Sequence, residues 1–389
     1  MARLPAIHFG SGSIQQLPDL ISAQGNRVLL VTGGRSFIQS VHWQPLLETL
    51  QAKQLHWRHE TITGEPSPDR IDDIVARYQG EQIEVVVGIG GGSPLDAAKA
   101  IAGLLPSGNS VMDHLEGVGR GLPYRGPALP LIAVPTTAGT GSEATKNAVL
   151  SRRGPDGFKK SFRDDQLVPR VALVDPDLLA SCPKAQIAAN GMDAFTQLLE
   201  SWVSINASPF TDALAWSGMA AFREGLWDAV EATDQRAAGY ARLAYASLMS
   251  GITLAQAGLG SVHGLASPLG AFFPIPHGEV CGTLLAEATA MNIEALRARQ
   301  PDSVALERYA AVGRMLADQP DLDDSAAHTT LLKTLHDWTE RLQMPRLRDY
   351  GITQEDFPQI VANARGGSMK TNPIVLADEE LTKILESRQ

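Results

Sequence analysis

Cysteine is almost absent from this sequence: only Cys182 and Cys281 occur in 389 residues. They lack CxxC spacing, which argues against a disulfide framework and against a thiolate metal site, and both are expected to be ordinary buried thiols. Basic charge is also short. The 33 Lys and Arg stand against 43 Asp and Glu for a formal net charge of −10. Apart from SRRGPDGFKKSFR (151–163) no basic cluster occurs, so nucleic acid is excluded as a partner. No apolar run is long enough to span a bilayer, which excludes a membrane role. The opening MARLPAIHFGSGSIQQLP carries one Arg but reaches Pro5 and Gly10 without an apolar core, unlike a secretory signal. The cytoplasm is the expected setting.

What is present has a rhythm. RVLLVTG, VHWQPLLETLQAK, QLHWRHETI, DRIDDIVARYQG and IEVVVGIGGG alternate short β-branched runs with amphipathic stretches, the pattern of βαβ units. Strands as apolar as VVVGI and LPLIAVP are expected where helices cover both faces of a parallel sheet. After RVALVDPDLLASCP the texture changes, and from about Lys184 nearly every segment has helical periodicity. The expectation is a Rossmann-like α/β dinucleotide-binding domain over 1–182, followed by an all-α domain over 183–389 with the active site in the cleft between them.

Two segments suggest a nucleotide. VVVGIGGGSPLDAAKAIAGLL sets glycines between a strand and a helix, where amides and the helix dipole hold a pyrophosphate. It misses the dinucleotide fingerprint, having Ser93 at the third glycine position. By itself it also reads as a tight turn with Ser93 as helix cap and Asp96–Lys99 as a solvated i,i+3 pair. VPTTAGTGSEATKNAVL adds a second loop, with Thr136, Thr137, Thr140, Gly141 and Ser142 after another buried strand. In VLLVTGGRSF no acidic residue follows the strand where a ribose 2′-hydroxyl needs one; Gly33 and Gly34 leave room for a 2′-phosphate and Arg35 can pair with it. NADP is therefore preferred, with NAD kept open.

A second group suggests a metal. In NGMDAFTQLLESWVS, Asp193 and Gln197 lie one helical turn apart on one face. SVHGLASPLGAFFPIPHGEVCG places His263 and His277 each before a glycine, where a bound group can approach closely. Either histidine alone is more often a core residue than a ligand, and Asp193 alone could cap a helix beginning near Gly191. The other seven histidines sit singly among surface-like residues and are read as structural.

The segments GGGSPLDAAKAIA, PTTAGTGSEAT, NGMDAFTQLLESWVS and HGLASPLGAFFPIPHG, in this order, resemble the iron-containing, group III alcohol dehydrogenases. The resemblance runs from IHFGSGSIQQLP to TNPIVLADEELTKIL. It implies a nucleotide domain and a helical domain enclosing a divalent metal, Fe2+ or Zn2+, beside the nicotinamide. Position by position it implies that Asp193, His263 and His277 ligate the metal, and that Gly91, Gly92, Ser93, Asp96, Thr137, Thr140 and Ser142 contact the dinucleotide. It also implies a homodimer formed through the first strand. Two positions depart from the pattern: Gln197 and Ser267 stand where the family usually has histidine. The Gln197 amide oxygen is then expected as a weak fourth ligand, metal retention is expected to suffer, and a proton is expected to leave through His277, Ser267 and water, or through the cofactor ribose.

The expected function is metal-dependent hydride transfer between NAD(P) and a small alcohol or aldehyde. Two enzymatic alternatives are a metal-free reductase of the maleylacetate reductase kind and a lyase of the dehydroquinate synthase kind. A nucleotide-binding protein without catalysis is the third. A lyase with a phosphate-bearing substrate needs more cations than HGLASPLGAFFPIPHG offers, and intact Asp193, His263 and His277 weigh against lost catalysis.

Overall fold

The structure, a computed structural model, describes residues 3–154, 156–231 and 234–389. Among them are the strands β1 (Ala6–Phe9), β2 (Arg27–Gly33), β3 (His56–Ile62), β4 (Val85–Gly90), β5 (Leu131–Pro135), β6 (Asn147–Arg152), β7 (Phe158–Arg163) and β8 (Val171–Val174). The helices of this half are α1 (Leu17–Ser22), α2 (Trp43–Ala52), α3 (Pro68–Tyr78) and α4 (Gly92–Leu104). Six strands form one parallel sheet in the order β1-β8-β5-β4-β2-β3. Every residue of β4, β5 and β8 is buried, as sheet residues are when both faces are covered, which is why these runs do not alternate. The order reverses between β2 and β4, so the loops after these strands flank a crevice at their carboxyl ends, the usual ligand position in such sheets.

From Lys184 the chain is helical: α5 (Lys184–Val203), α6 (Pro209–Val230), α7 (Arg236–Ala257), α8 (Ser261–Phe272), α9 (His277–Arg299), α10 (Val304–Ala317), α11 (Asp324–Arg341), α12 (Phe357–Asn363) and α13 (Asp378–Ser387). Helix α5 is central, packing on α6, α7 and α9. Phe195, Leu198 and Leu199 of α5 share one apolar core with Ala172 and Val174 of β8 and with Ala138 and Ala144 of the loop after β5. That core is continuous from the helical half to the sheet edge. No helix among the described residues is long and apolar enough to cross a membrane.

The basic stretch 151–163 contributes to an antiparallel hairpin, β6–β7, which the βαβ rhythm does not announce. Three of its charges are partnered, Arg152 on Asp69, Lys159 on Glu65 and Arg163 on Glu116. Strand β7 packs on α8 of the helical half, where Ser267 Oγ donates to the Lys159 carbonyl at 3.2 Å.

Candidate metal and nucleotide site

The two glycine-bearing loops meet. Thr136 N–H donates to the Gly90 carbonyl at 2.9 Å, a β-carbon on Gly91 would lie 3.3 Å from the Thr137 hydroxyl, and one on Gly92 would lie 2.9 Å from Thr140. Gly90 has φ 150°, and a β-carbon there would stand 2.4 Å from the Pro94 ring; only glycine closes this turn. Gly91 rather than Ser93 caps α4, so Ser93 is not the cap expected from sequence. Gly33 ends β2 on the neighbouring side of the crevice, with Arg35 exposed just beyond it.

Asp96 and Lys99 are not the solvated pair that their spacing suggests. Lys99 is 0% exposed. Its ammonium donates to Ser142 Oγ and Thr145 Oγ1, each at 2.7 Å, and to the Asn147 carbonyl at 2.8 Å, with Asp96 Oδ1 at 3.4 Å. Ser142 in turn donates to Asp96 at 2.6 Å. A buried cation is tolerable when its donors are met in this way. The Asp96 and Ser142 side chains therefore tie the second loop to α4.

That loop also reaches the helical half. Gly141, at φ 58°, lies so close to Gly251 of α7 that a β-carbon on it would be 2.4 Å from the Gly251 Cα. Gly139 lies against Asn190 of α5, one turn before Asp193. Among the buried side-chain atoms without a hydrogen-bond partner are Asn190 Nδ2, Ser247 Oγ of α7 and His277 Nδ1. Gly139 and Gly141 serve the close packing of the loop on α5 and α7, while the orphaned polar atoms beside them leave unmet hydrogen-bonding capacity that suits a polar ligand.

Beside that seam the metal candidates converge. Asp193 lies in the middle of α5, not at its start, and is 1% exposed; it does not cap the helix. His263 Nε2 is 3.3 Å and His277 Nε2 3.8 Å from Asp193 Oδ1. Gln197 donates from its amide nitrogen to Asp193 Oδ1 at 3.0 Å, while its oxygen accepts from Ser250 at 2.7 Å. Ser267 is one turn beyond His263 on α8, its hydroxyl turned to the Lys159 carbonyl.

Two participants escaped the sequence. Cys281, one turn after His277 on α9, puts Sγ 3.6 Å from His263 Nε2 and 3.8 Å from His277 Nε2. The donor atoms of Asp193, His263, His277 and Cys281 all lie within 4.8 Å of one another, so the exclusion of a thiolate site from CxxC spacing does not apply here. Glu200, two turns after Asp193 on the same face of α5, bonds His263 Nδ1 at 2.6 Å and the Val262 N–H at 2.7 Å. Asn372 Oδ1 accepts the Ser261 N–H at 3.0 Å. Together they take the first N–H groups of α8, which no helical carbonyl can reach, and a carboxylate there is favoured by the helix dipole. Glu200 thereby fixes which His263 nitrogen faces the cluster.

Charge follows from this geometry. Burial, opposed by Asp193 and reinforced by Lys159, lowers His277 to about 4, which leaves a neutral imidazole with a lone pair. Burial alone would raise the Asp193 carboxyl, but His277 and His263 hold it at about 2. Burial also lifts the Cys281 thiol to about 12. For His263, burial is outweighed by Cys281, Glu200 and Asp193, which raise its pKa well above the usual histidine value. A protonated His263 thus balances Asp193 and Glu200 while His277 keeps its lone pair, and a cation binding here would displace that proton.

Residues 5–176 match the family described as iron-containing alcohol dehydrogenase, and residues 187–389 match that family's C-terminal region. The chain belongs to this family. It is an oxidoreductase. Among the family's members, Alcohol dehydrogenase 4 of Saccharomyces cerevisiae is 32% identical over 98% of this chain and 96% of its own. The crystal structure of a 1,3-propanediol oxidoreductase superposes with TM-score 0.90 at 27% identity, covering 100% of this chain and 99% of that one. Sulfoacetaldehyde reductase from Bifidobacterium kashiwanohense, solved in complex with NAD+, gives TM-score 0.84 at 27% identity, covering 100% of this chain and 98% of that one. Membership decides for the dehydrogenase over the lyase. The family's metal also fits the residues present: a tetrahedral ion with bonds of about 2.0–2.3 Å sets neighbouring donors roughly 3.3–3.6 Å apart, and four of the donor pairs here stand 3.3–3.8 Å apart, with all of them within 4.8 Å.

Proposed function

We propose that this enzyme interconverts a small alcohol and its aldehyde with a nicotinamide dinucleotide, and that Asp193, His263 and His277 hold a divalent ion, Fe2+ or Zn2+. One observation carries the reading: three donor side chains from α5, α8 and α9 converge where the loop after β5 presses on α5 and α7. When bound, the ion supplies Lewis acidity at the substrate oxygen and the nicotinamide exchanges the hydride. The chain supplies position. Gly91, Gly92, Ser93, Thr136, Thr137 and Thr140 line the pyrophosphate side, while Asp96 and Ser142, tied to Lys99, hold the second loop in place. Glu200 orients His263. His277, with 28% of its side chain exposed against 6% for His263, marks the side on which a proton reaches solvent, with Ser267 beside that path. Leu254 of α7 and Phe272 and Phe273 at the end of α8, each half-buried, are the candidates for an apolar side of the substrate pocket.

Arg35, free of acidic neighbours in GGRSF, supports NADP as the preferred dinucleotide. The edge strand β1 exposes Ile7 (42%) and Phe9 (41%), and an exposed apolar edge supports pairing with a second copy as a homodimer. A reducing cytoplasmic setting completes the reading, in keeping with the free thiols of Cys182 and Cys281.

The test is turnover of a panel of small aldehydes with NADPH or NADH, on protein stripped by chelator and then supplied with Fe(II) or Zn(II). Restoration of activity by the ion supports the assignment. Turnover that is indifferent to the ion means a metal-free reductase, and no turnover under any condition means a protein that binds nucleotide without catalysis.

A further inference from the structure

The family's fourth metal-binding side chain is a histidine where this chain has Gln197, and the structure shows what has happened around that change. Gln197 is engaged on both ends: its nitrogen donates to Asp193 and its oxygen accepts from Ser250. The amide face turned to the cluster is a donor without a lone pair. One turn after His277, on the opposite wall of the same small space, Cys281 is 0% exposed and points its sulfur at His263 Nε2 and His277 Nε2.

We propose that Cys281 is the fourth ligand of the metal, taking over from position 197 and making an Asp–His–His–Cys site that prefers zinc to iron. The inference rests on the metal reading above. It has three physical supports. The sulfur-to-nitrogen distances of 3.6 and 3.8 Å are close to the roughly 3.5 Å that a tetrahedral zinc imposes between a thiolate at about 2.3 Å and an imidazole at about 2.0 Å. A thiolate beside the Asp193 carboxylate gives two negative charges for a dication, where a histidine at position 197 would leave one. Thiolate is also the softest donor a protein offers, and it selects zinc over ferrous iron, reinforcing the ordinary order of affinities. Gln197 then acts through Asp193 as a positioning residue. The balance is simple: the Cys281 S–H bond breaks, a sulfur–metal bond forms, and that proton, with the one displaced from His263, leaves to bulk solvent on the His277 side, with no change of oxidation state.

Cobalt(II) is the probe, because thiolate–cobalt coordination produces a near-ultraviolet charge-transfer band that nitrogen and oxygen ligands do not. The full-length enzyme, stripped of metal and titrated with cobalt(II), should show that band together with visible ligand-field bands. In Cys281→Ser the near-ultraviolet band should vanish while the visible bands persist. In Gln197→Ala both should remain. Zinc affinity should fall at least about tenfold in Cys281→Ser, and the ratio of zinc to iron taken up from an equimolar mixture should fall with it. Visible bands without the near-ultraviolet band in the unmodified enzyme would overturn the Cys281 assignment and leave the metal reading standing. No cobalt bands at all would overturn both. Because the unmodified chain gives the deciding spectrum, the test survives even if Cys281→Ser fails to fold.

Discussion

Two buried charge clusters lie on either side of the seam between sheet and helices, and they are completed in different ways. Around Lys99 the chain supplies both signs. One ammonium meets three oxygens at 2.7–2.8 Å and the Asp96 carboxylate at 3.4 Å. Around Asp193 the chain supplies mainly electron-pair donors: a carboxylate, two imidazoles and a sulfur within 4.8 Å of one another. The first cluster is finished from inside and serves as a rivet. The second is held in shape by Glu200, Gln197 and Asn372 and balanced by a proton on His263 that a guest cation can replace. Burial of ionisable groups is common to both, so burial alone does not mark the reactive site; an exchangeable proton among electron-pair donors does.

Substitutions can break that comparison. Asp193→Ala should lower kcat/KM by about 10^3-fold or more, the several kcal/mol that Lewis-acid polarisation contributes. It should also abolish the rise in Tm that zinc gives the unmodified enzyme by binding only the folded state. An unaltered response to zinc would place the ion elsewhere. Lys99→Met leaves Asp96 buried without its cation and should cost about 3–5 kcal/mol in denaturant unfolding, with no rescue by zinc. Near-normal stability would mean that the rivet is not self-contained.

Glu143 sharpens the contrast, since it is a buried carboxyl near Lys99 whose charge is poorly met. Burial, against the pull of a backbone hydrogen bond and of Lys99, raises it to about 7. Its folded pKa lies above the unfolded one, so its contribution is complete below about pH 4.5 and is lost as pH rises through about 7. Unfolding measured at pH 4 and at pH 8 should therefore show Glu143→Gln nearly equal to the parent at the lower pH and more stable by about 3 kcal/mol at the higher. A constant difference between the two variants would refute the buried proton. The smallest expected effect belongs to an exposed charge. Arg35→Ala should weaken NADPH binding about tenfold, as for one charge-assisted hydrogen bond, and leave NADH unchanged.

Much of the architecture was legible because local pattern and tertiary role coincide. RVLLVTG is β2 over Arg27–Gly33, and the change of texture near Lys184 is the first residue of α5. The β6–β7 hairpin was hidden because its residues are chosen for ion pairs and for contact with α8, not for a two-sided apolar sheet. Asp96 and Lys99 have the spacing of a surface pair, and only the covering of α4 by the second loop puts them inside. His328 was read among surface-like residues, yet it is 4% exposed, bonded to Arg297 and the Leu306 carbonyl. Glu200 could have been found, since it falls on the Asp193 face two turns on. Cys281 has no CxxC partner, and its signal in the sequence is the His-x-x-x-Cys spacing from His277 along one helix.

The β6–β7 hairpin is encoded with the sheet but rests on α8, where Ser267 bonds the Lys159 carbonyl and the Gly154 N–H meets the Ala271 carbonyl at 3.4 Å. The two halves are therefore not exchangeable cassettes. A chimera that borrows its first half from a relative imports a clasp cut for another helix, and the misfit falls on the segment that carries His263. Grafting the hairpin together with residues 261–272 keeps the clasp and its seat matched.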